Sequence, residues 1–230
     1  LKSLFCFCYP FGGLINLKGQ KKMKNQSEYV WSYAAYGGEP QYIQTPYGAY
    51  QISTNTGTMK KYLDFLQQNP VYRNFARTLN DAGKLKKQSF VNAWVELSEN
   101  DVFNESQHNF IVDTHLKPLI NAIKEKEILR LNERHPVVKD VLYSMSVQHG
   151  KASKIVNDTL EKLKLEYGGD LNNISDDIIL RRLYQSRADY VQNLKESCFP
   201  GDKRITREEK MNIINNRYPY ELRKALDCLK

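Results

Sequence analysis

Residues 47–66, YGAYQISTNTGTMKKYLDFL, change character halfway along. The first half is interrupted by Gly48, is rich in Ser, Thr and Asn, and shows no helical period. From Met59 onward the pattern changes. Met59, Tyr62, Leu63 and Leu66 fall at i, i+3, i+4 and i+7, the spacing of an apolar stripe on one helix face, with Thr58 or Thr56 available as the cap. Upstream, Pro40, Pro46 and Gly48 break residues 39–55, which read as loop with short extended pieces. Before that, aromatic-rich residues 27–36 read as a helix that stops at Gly37-Gly38, where glycine tolerates positive φ.

Downstream the helical period is nearly continuous. Tyr72, Phe75, Ala76 and Leu79 repeat the stripe up to Gly83, and Phe90, Val91, Trp94 and Leu97 form another behind Ser89. Asn100 and Asp101 stand where a helix carrying Phe103, Phe110, Ile111 and Thr114 should start, and Pro118 should kink or restart it. His135-Pro136 opens a helix with proline at the favoured first position. Its Val137, Val138, Val141, Leu142, Met145 and Val147 make it apolar around much of its circumference, as a central helix would be. Ile155, Val156, Leu160 and Leu163 mark the next helix, closed by Tyr167-Gly168-Gly169, and residues 175–194 another. Thr206-x-x-Glu209 matches a capping box, and Pro219 opens the last short helix. The fold class that follows is mostly α, with one irregular segment near the N-terminus.

Composition narrows the classes of function. Hydrophobic residues make up 41% of the 230, which fits a folded domain and excludes a disordered tail. A formal charge of +8 points to an anionic partner, for which nucleic acid, anionic lipid and wall polymer all qualify. No DNA-reading motif and no single basic helix favours the nucleic acid. Residues 4–17 are apolar behind Lys2, yet Pro10, Gly12 and Gly13 interrupt them and they are too short to span a bilayer. Residues 1–26 therefore read as a poorly defined leader or fragment edge, and residues 27–230 as one helical domain. Cys6 and Cys8 form a lone C-x-C with no second pair at ligand spacing, and His115 has no partner at such spacing, so neither a metal nor another cofactor is expected. Cys198 and Cys228 read as two thiols rather than a disulfide.

Chemistry is best sought in the irregular segment, because functional groups often ride on loops held by rigid elements. Tyr36, Tyr42, Tyr47 and Tyr50 can stack on sugar faces, and Gln41, Gln44, Gln51, Ser53, Thr54 and Asn55 can hydrogen-bond hydroxyl and acetamido groups. The same residues can instead seal a core edge and make turns. His149, at the end of an apolar helix, suits capping or a satisfied hydrogen bond, and Gln148 a supporting contact. Trp94 and Trp31 are most simply core.

Several stretches resemble one family in the same order. Tyr47-Gly48-Ala49-Tyr50-Gln51 with Asn55-Thr56-Gly57-Thr58-Met59 is similar to an S-Y-G-T-Y-Q…GTM signature. Gln107-x-x-Phe110-Ile111 with Thr114-His115-x-x-Pro118 resembles Q-x-x-F-I…T-H-Y-x-P. Asp140-Val141-Leu142-Tyr143-Ser144 through Gln148-His149-Gly150 resembles V-L-W-S-x-x-V-Q-H-G. Tyr184-Gln185-Ser186-Arg187 and Asn216-Arg217-Tyr218 match a tyrosine–arginine and an N-R-F/Y motif. The family is the lysozyme-like C-terminal domain of type VI secretion spike proteins, with related phage and secreted cell-wall hydrolases. The resemblance implies a lysozyme-superfamily helical domain, distantly chitosanase-like, that hydrolyses the β-1,4 glycan of peptidoglycan. It also implies delivery to the bacterial periplasm by a secretion spike or phage tail, and an immunity protein as a further partner. Tyr47, Tyr50 and Gln51 would shape the glycan cleft, with Gln148 and His149 beside substrate.

Such hydrolysis needs two carboxyl groups, one protonated to serve the leaving oxygen and one to activate water or stabilise the oxocarbenium-like transition state. The family typically places a glutamate in a Y-E-S-G-like stretch at the end of the first helix and an aspartate in a glycine-rich loop before S-Y-G. Here the carboxylates between Met23 and Asp64 are Glu28 and Glu39. Glu39 follows Gly37-Gly38 in the loop, and Glu28 lies on the expected first helix. Setting Tyr33 on the family tyrosine instead puts Ala34 at the acid position, and the loop aspartate has no clear counterpart. Either Glu28 and Glu39 form the catalytic pair, or the fold is a catalytically degraded glycan-binding or structural domain.

Overall fold

A computed structural model describes residues 46–48, 50, 52–54, 57–85, 87–196 and 204–230, together with two short strands near the N-terminus. Among these residues the fold is mostly helical. Strand is confined to two antiparallel two-stranded ribbons: β1 (Cys6–Cys8) with β2 (Leu14–Asn16), and β3 (Pro46–Tyr47) with β4 (Ile52–Ser53). The leader expected over residues 1–26 and the helix expected over 27–36 otherwise lie outside the described residues. The chain divides into two compact units, one of residues 18–114 and one of residues 1–17 with 115–230.

In the first unit the β3–β4 ribbon precedes α1 (Thr58–Gln68), α2 (Arg73–Asp81), α3 (Gln88–Ser98) and α4 (Asp101–Ile111). The cap of α1 is neither threonine. Gly57 takes that place at φ 77° with no side-chain cap, because a left-handed residue there turns the ribbon's exit into the helix axis. Asn100 does cap α4 as its position suggested, its Oδ1 accepting from the Val102 and Phe103 amides at 2.9 and 3.3 Å. The core of this unit is aromatic. The Tyr62 ring lies against Trp94, Phe103, Phe110 and Phe65 with centroids 5.3–6.4 Å apart. Its hydroxyl donates to Ser106 Oγ at 2.6 Å, and Ser106 donates in turn to the Phe103 carbonyl at 2.6 Å. A buried phenol is thereby satisfied, and burial pushes its pKa up.

The second unit contains α5 (Lys117–Glu125), α6 (Pro136–Gln148), α7 (Ala152–Glu166), α8 (Asp176–Gln192), α9 (Arg207–Asn212) and α10 (Tyr218–Asp227). Its core is chiefly aliphatic, built from Leu119, Ile123, Val138, Val141, Leu142, Met145, Val156, Leu160, Leu163, Ile179, Leu180 and Leu183. As its composition required, α6 is central: Val137, Val138, Val141, Leu142, Tyr143, Met145 and Ser146 are all buried. His135 Nδ1 accepts from the Val137 amide and so caps α6 ahead of Pro136. Both halves of the Thr206–Glu209 capping box are formed.

The kink expected at Pro118 takes a specific form. Val112–Leu116 is a π-helical turn, and a second one, Ile213–Arg217, precedes α10 with Pro219 near its start. Proline has no N–H to donate to the carbonyl four residues back, and its ring crowds that carbonyl. Widening the preceding turn relieves both problems without ending the helical run.

Candidate functional site

The irregular segment folds into the tight β3–β4 ribbon, and Gly48 explains how. Gly48 sits at φ 68°, and a Cβ there would stand 2.1 Å from Gln107 Oε1 and 3.0 Å from Trp94 Cζ2. Only a residue without a side chain lets the ribbon approach α3 and α4 this closely. The Tyr-Gly stretch and the Gln-x-x-Phe-Ile stretch, far apart in sequence, therefore meet as one packing unit.

Tyr47 and Tyr50 have different environments. Tyr47 is 0% exposed, its ring 5.5 Å from Phe90 and 5.1 Å from Trp94, so it anchors the ribbon from behind. Tyr50 is half-buried, and its hydroxyl shares a 2.8 Å hydrogen bond with His108 Nδ1. Burial lowers the pKa of His108, with nearby Glu105 opposing it, so the imidazole is held toward its neutral form. His108 carried no signal in the sequence, since its partner lies 58 residues away. Gln51, Glu28 and Glu39 lie outside the described residues.

Gln148 and His149 end α6 in the second unit, inside a charged network. Arg187 on α8 is 0% exposed. Its Nη2 donates to Gln148 Oε1, and to Ser144 Oγ at 3.3 Å. Its Nη1 lies 3.3 Å from Glu221 Oε2, and its guanidinium lies over the Tyr184 and Tyr218 rings at 4.8 and 4.5 Å. Glu221 also accepts from Arg217 Nε at 2.6 Å and from the Tyr184 hydroxyl at 3.3 Å. His149 is 5% exposed, shares a 3.1 Å hydrogen bond between Nε2 and the Tyr218 hydroxyl, and meets the Tyr190 ring edge-on.

Burial, with Arg187 and Arg217 adding to it, lowers the His149 pKa from 6.5 to about 3. The imidazole is therefore neutral near pH 7, and serves as a hydrogen-bonded core group at the helix end. The carboxyl that burial affects most is Asp140 on α6, pushed up from 3.8 to about 6. Among the described carboxylates it is the one held above its usual range, and it stands four residues before Ser144 and eight before Gln148.

Among the described residues no group of three or more His, Cys, Asp or Glu side chains is placed to hold a metal ion, and no helix is long and apolar enough to cross a membrane. Cys228 is an exposed free thiol.

Comparison with known proteins points to the same family of spike proteins that the motifs resemble. The family model for the C-terminal region of VgrG3-like type VI secretion system spike proteins matches residues 25–215. The type VI secretion system spike protein VgrG3 of Vibrio cholerae serotype O1 (strain ATCC 39315 / El Tor Inaba N16961) is 28% identical over 179 residues, covering 73% of this chain. The alignment spans only 16% of that longer protein. No solved structure matches the chain. The family match includes Gln148, His149, Tyr184 and Arg187 but stops before Tyr218 and Glu221, which complete the network.

Proposed function

Since the chain belongs to the family of VgrG3-like type VI secretion spike C-terminal domains, we propose that it is a lysozyme-like domain that hydrolyses the β-1,4 glycan of peptidoglycan. The observation that carries this reading is the ordered run of motifs from Tyr47 to Arg217, which falls within the matched region up to residue 215. The packing of Gly48 against Gln107 and Trp94 gives two of those motifs a shared physical purpose. The +8 charge suits an anionic wall polymer.

In the proposed reaction Glu28 and Glu39 divide the work. The protonated carboxyl gives its proton to the leaving glycosidic oxygen, and the ionised one activates water or stabilises the developing oxocarbenium ion. The acid must be kept protonated near neutral pH by partial burial. Asp140, with its pKa near 6, meets that electrostatic requirement and is the described alternative to test beside them. In this reading Tyr50 and Gln148 are candidate glycan contacts, each within its own unit, while Tyr47 and His149 hold their surroundings in place. Delivery to the periplasm by a secretion spike, and neutralisation by an immunity protein, complete the proposed setting.

Incubation of the whole chain with purified sacculi, followed by chromatography of soluble fragments, tests the reading. Release of disaccharide-peptides is expected, abolished in Glu28→Gln or Glu39→Gln. Sacculus binding without release would replace the hydrolase with a degraded glycan-binding domain. Unchanged release from both variants together with loss in Asp140→Asn would move the acid to Asp140.

A further inference from the structure

Arg187 determines which end of the Gln148 amide is offered to solvent. A guanidinium carries five donors and no acceptor, so only an oxygen can face it, and Gln148 presents Oε1. The two ends of a carboxamide are ordinarily hard to tell apart, but here the charge decides. Arg187 cannot turn away, because Glu221, Ser144 and the Tyr184 and Tyr218 rings hold it from α10, α6 and α8. The Gln148 amide is therefore locked, with Nε2 directed away from the guanidinium. Nε2 makes no hydrogen bond among the described residues, yet Gln148 is only half-buried and this nitrogen is not among the buried unpartnered atoms. It presents two N–H donors to solvent at the end of α6. Gly150, two residues on, has open space around it, since a Cβ built there meets nothing within 4 Å.

The charge around the amide has the same sign of preference. Arg187 and Arg217 share the single carboxylate of Glu221, and His149 stays neutral, which leaves one net positive charge beneath the helix end. Lys151 is exposed three residues beyond Gln148, and the first turn of α7 carries no acidic residue. A ligand group that accepts hydrogen bonds is favoured there, and one that brings its own ammonium is penalised.

We infer that Gln148 is a specificity-determining residue, held by Arg187 as an obligate donor, which selects glycan bearing acceptor groups (acetamido carbonyl or carboxylate) over glycan bearing free amines. The inference rests on the glycan-hydrolase reading and adds to it the residue that chooses between N-acetylated and deacetylated polymer. Arg187 is the positioning residue in this scheme, acting through Gln148 and not touching the sugar.

Gln148→Glu is the discriminating variant. A carboxylate still accepts from Arg187, with a charge-assisted bond in place of a neutral one, so the fold and its melting temperature should be retained. The outward group changes from donor to acceptor. Titration calorimetry of the whole chain with N-acetylglucosamine oligomers and with glucosamine oligomers of equal length reads the result. The unmodified protein should prefer the acetylated ligand. The variant should lose about tenfold for it, the size of one hydrogen bond exchanged for a repulsive contact, and should reverse the preference toward the amine. Gln148→Met, which removes the donors without adding an acceptor, should lose the acetylated ligand and gain nothing for the amine. Unchanged preference in Gln148→Glu would overturn the inference while leaving the hydrolase reading intact. Binding of neither oligomer by the unmodified protein, with no release from sacculi, would overturn both.

Discussion

Gly48 and Glu127 are the two residues whose backbone makes the clearest demand on chemistry, and they answer it in opposite ways. Gly48 meets a left-handed φ and a crowded approach with the one residue that tolerates both. Gly48→Ala should destabilise the protein by roughly 2–4 kcal/mol, combining the cost of positive φ for a non-glycine with overpacking against Gln107 and Trp94. Urea titration measures it, and a loss below 0.5 kcal/mol would mean that the ribbon can move off α3 and α4 freely. Glu127, just past the end of α5, also has positive φ, at 50°, but carries a side chain. Glycine is the usual residue at such a left-handed helix stop. Glu127→Gly should therefore stabilise by about 0.5–1 kcal/mol, visible as a rise in melting temperature of a few degrees. The sequence reveals the first position, since glycine in a turn-rich segment announces its freedom. It hides the second, because nothing about a glutamate signals a left-handed backbone. Tyr47 was ambiguous for a related reason. An aromatic residue beside a glycine can face a ligand or a core, and only the arrival of Phe90 and Trp94 from 43 and 47 residues later decides that it is buried.

At the scale of elements, what was legible is what is local. Asn100, His135-Pro136 and Thr206-x-x-Glu209 mark helix starts because each side chain bonds to an amide within three residues of itself. The π-helical turns were not legible. Pro118 and Pro219 announce trouble in the chain, but whether a helix breaks, bends or widens depends on packing that keeps both flanking segments aligned. The Arg187 network was also hidden, since its ion-pair and hydrogen-bond partners come from 34 to 43 residues away and a lone arginine on a helix reads as a solvated face. One prediction belongs to this scale. The Thr206 cap starts α9, which continues through the second π turn into α10 and its Glu221. Thr206→Ala should cost about 1 kcal/mol. It should also raise amide hydrogen exchange over residues 207–212 more than over α6, whose His135 cap is separate. Equal acceleration in both helices would show that the cap stabilises the unit globally and not its own helix.

For the whole molecule, the informative variable is pH, because buried His149 and half-buried Asp140 pull its stability in opposite directions. His149 has its pKa lowered to about 3 from 6.5. The unfolded chain then takes up a proton that the folded one refuses, so this contribution is complete above pH 6.5 and is lost as pH falls toward 3. Asp140 has its pKa raised to about 6 from 3.8. Here the folded chain holds the proton longer, so the contribution is complete below pH 3.8 and is lost as pH rises through 6. Between pH 4 and 6 each group alone would give a slope of up to about 1.4 kcal/mol per pH unit, with opposite signs, and together they nearly cancel. Removing either one should uncover the other. Asp140→Asn should be more stable than the unmodified protein by about 1–2 kcal/mol at pH 7, less than the full shift would give because water still reaches this half-buried carboxyl, an advantage that shrinks as pH falls from 6 and vanishes below 4. His149→Gln, which keeps a polar partner for the Tyr218 hydroxyl, should show the reverse, losing stability at pH 7 and recovering relative to the unmodified protein as pH drops from 6.5 toward 3. Urea midpoints read at half-unit intervals from pH 3 to pH 8 give both difference curves, in which the many exposed carboxylates common to all three proteins drop out. Difference curves that are flat in pH would show that neither group is held away from its ordinary titration by the fold. Curves of the same sign would mean that the two sites are coupled and titrate as one.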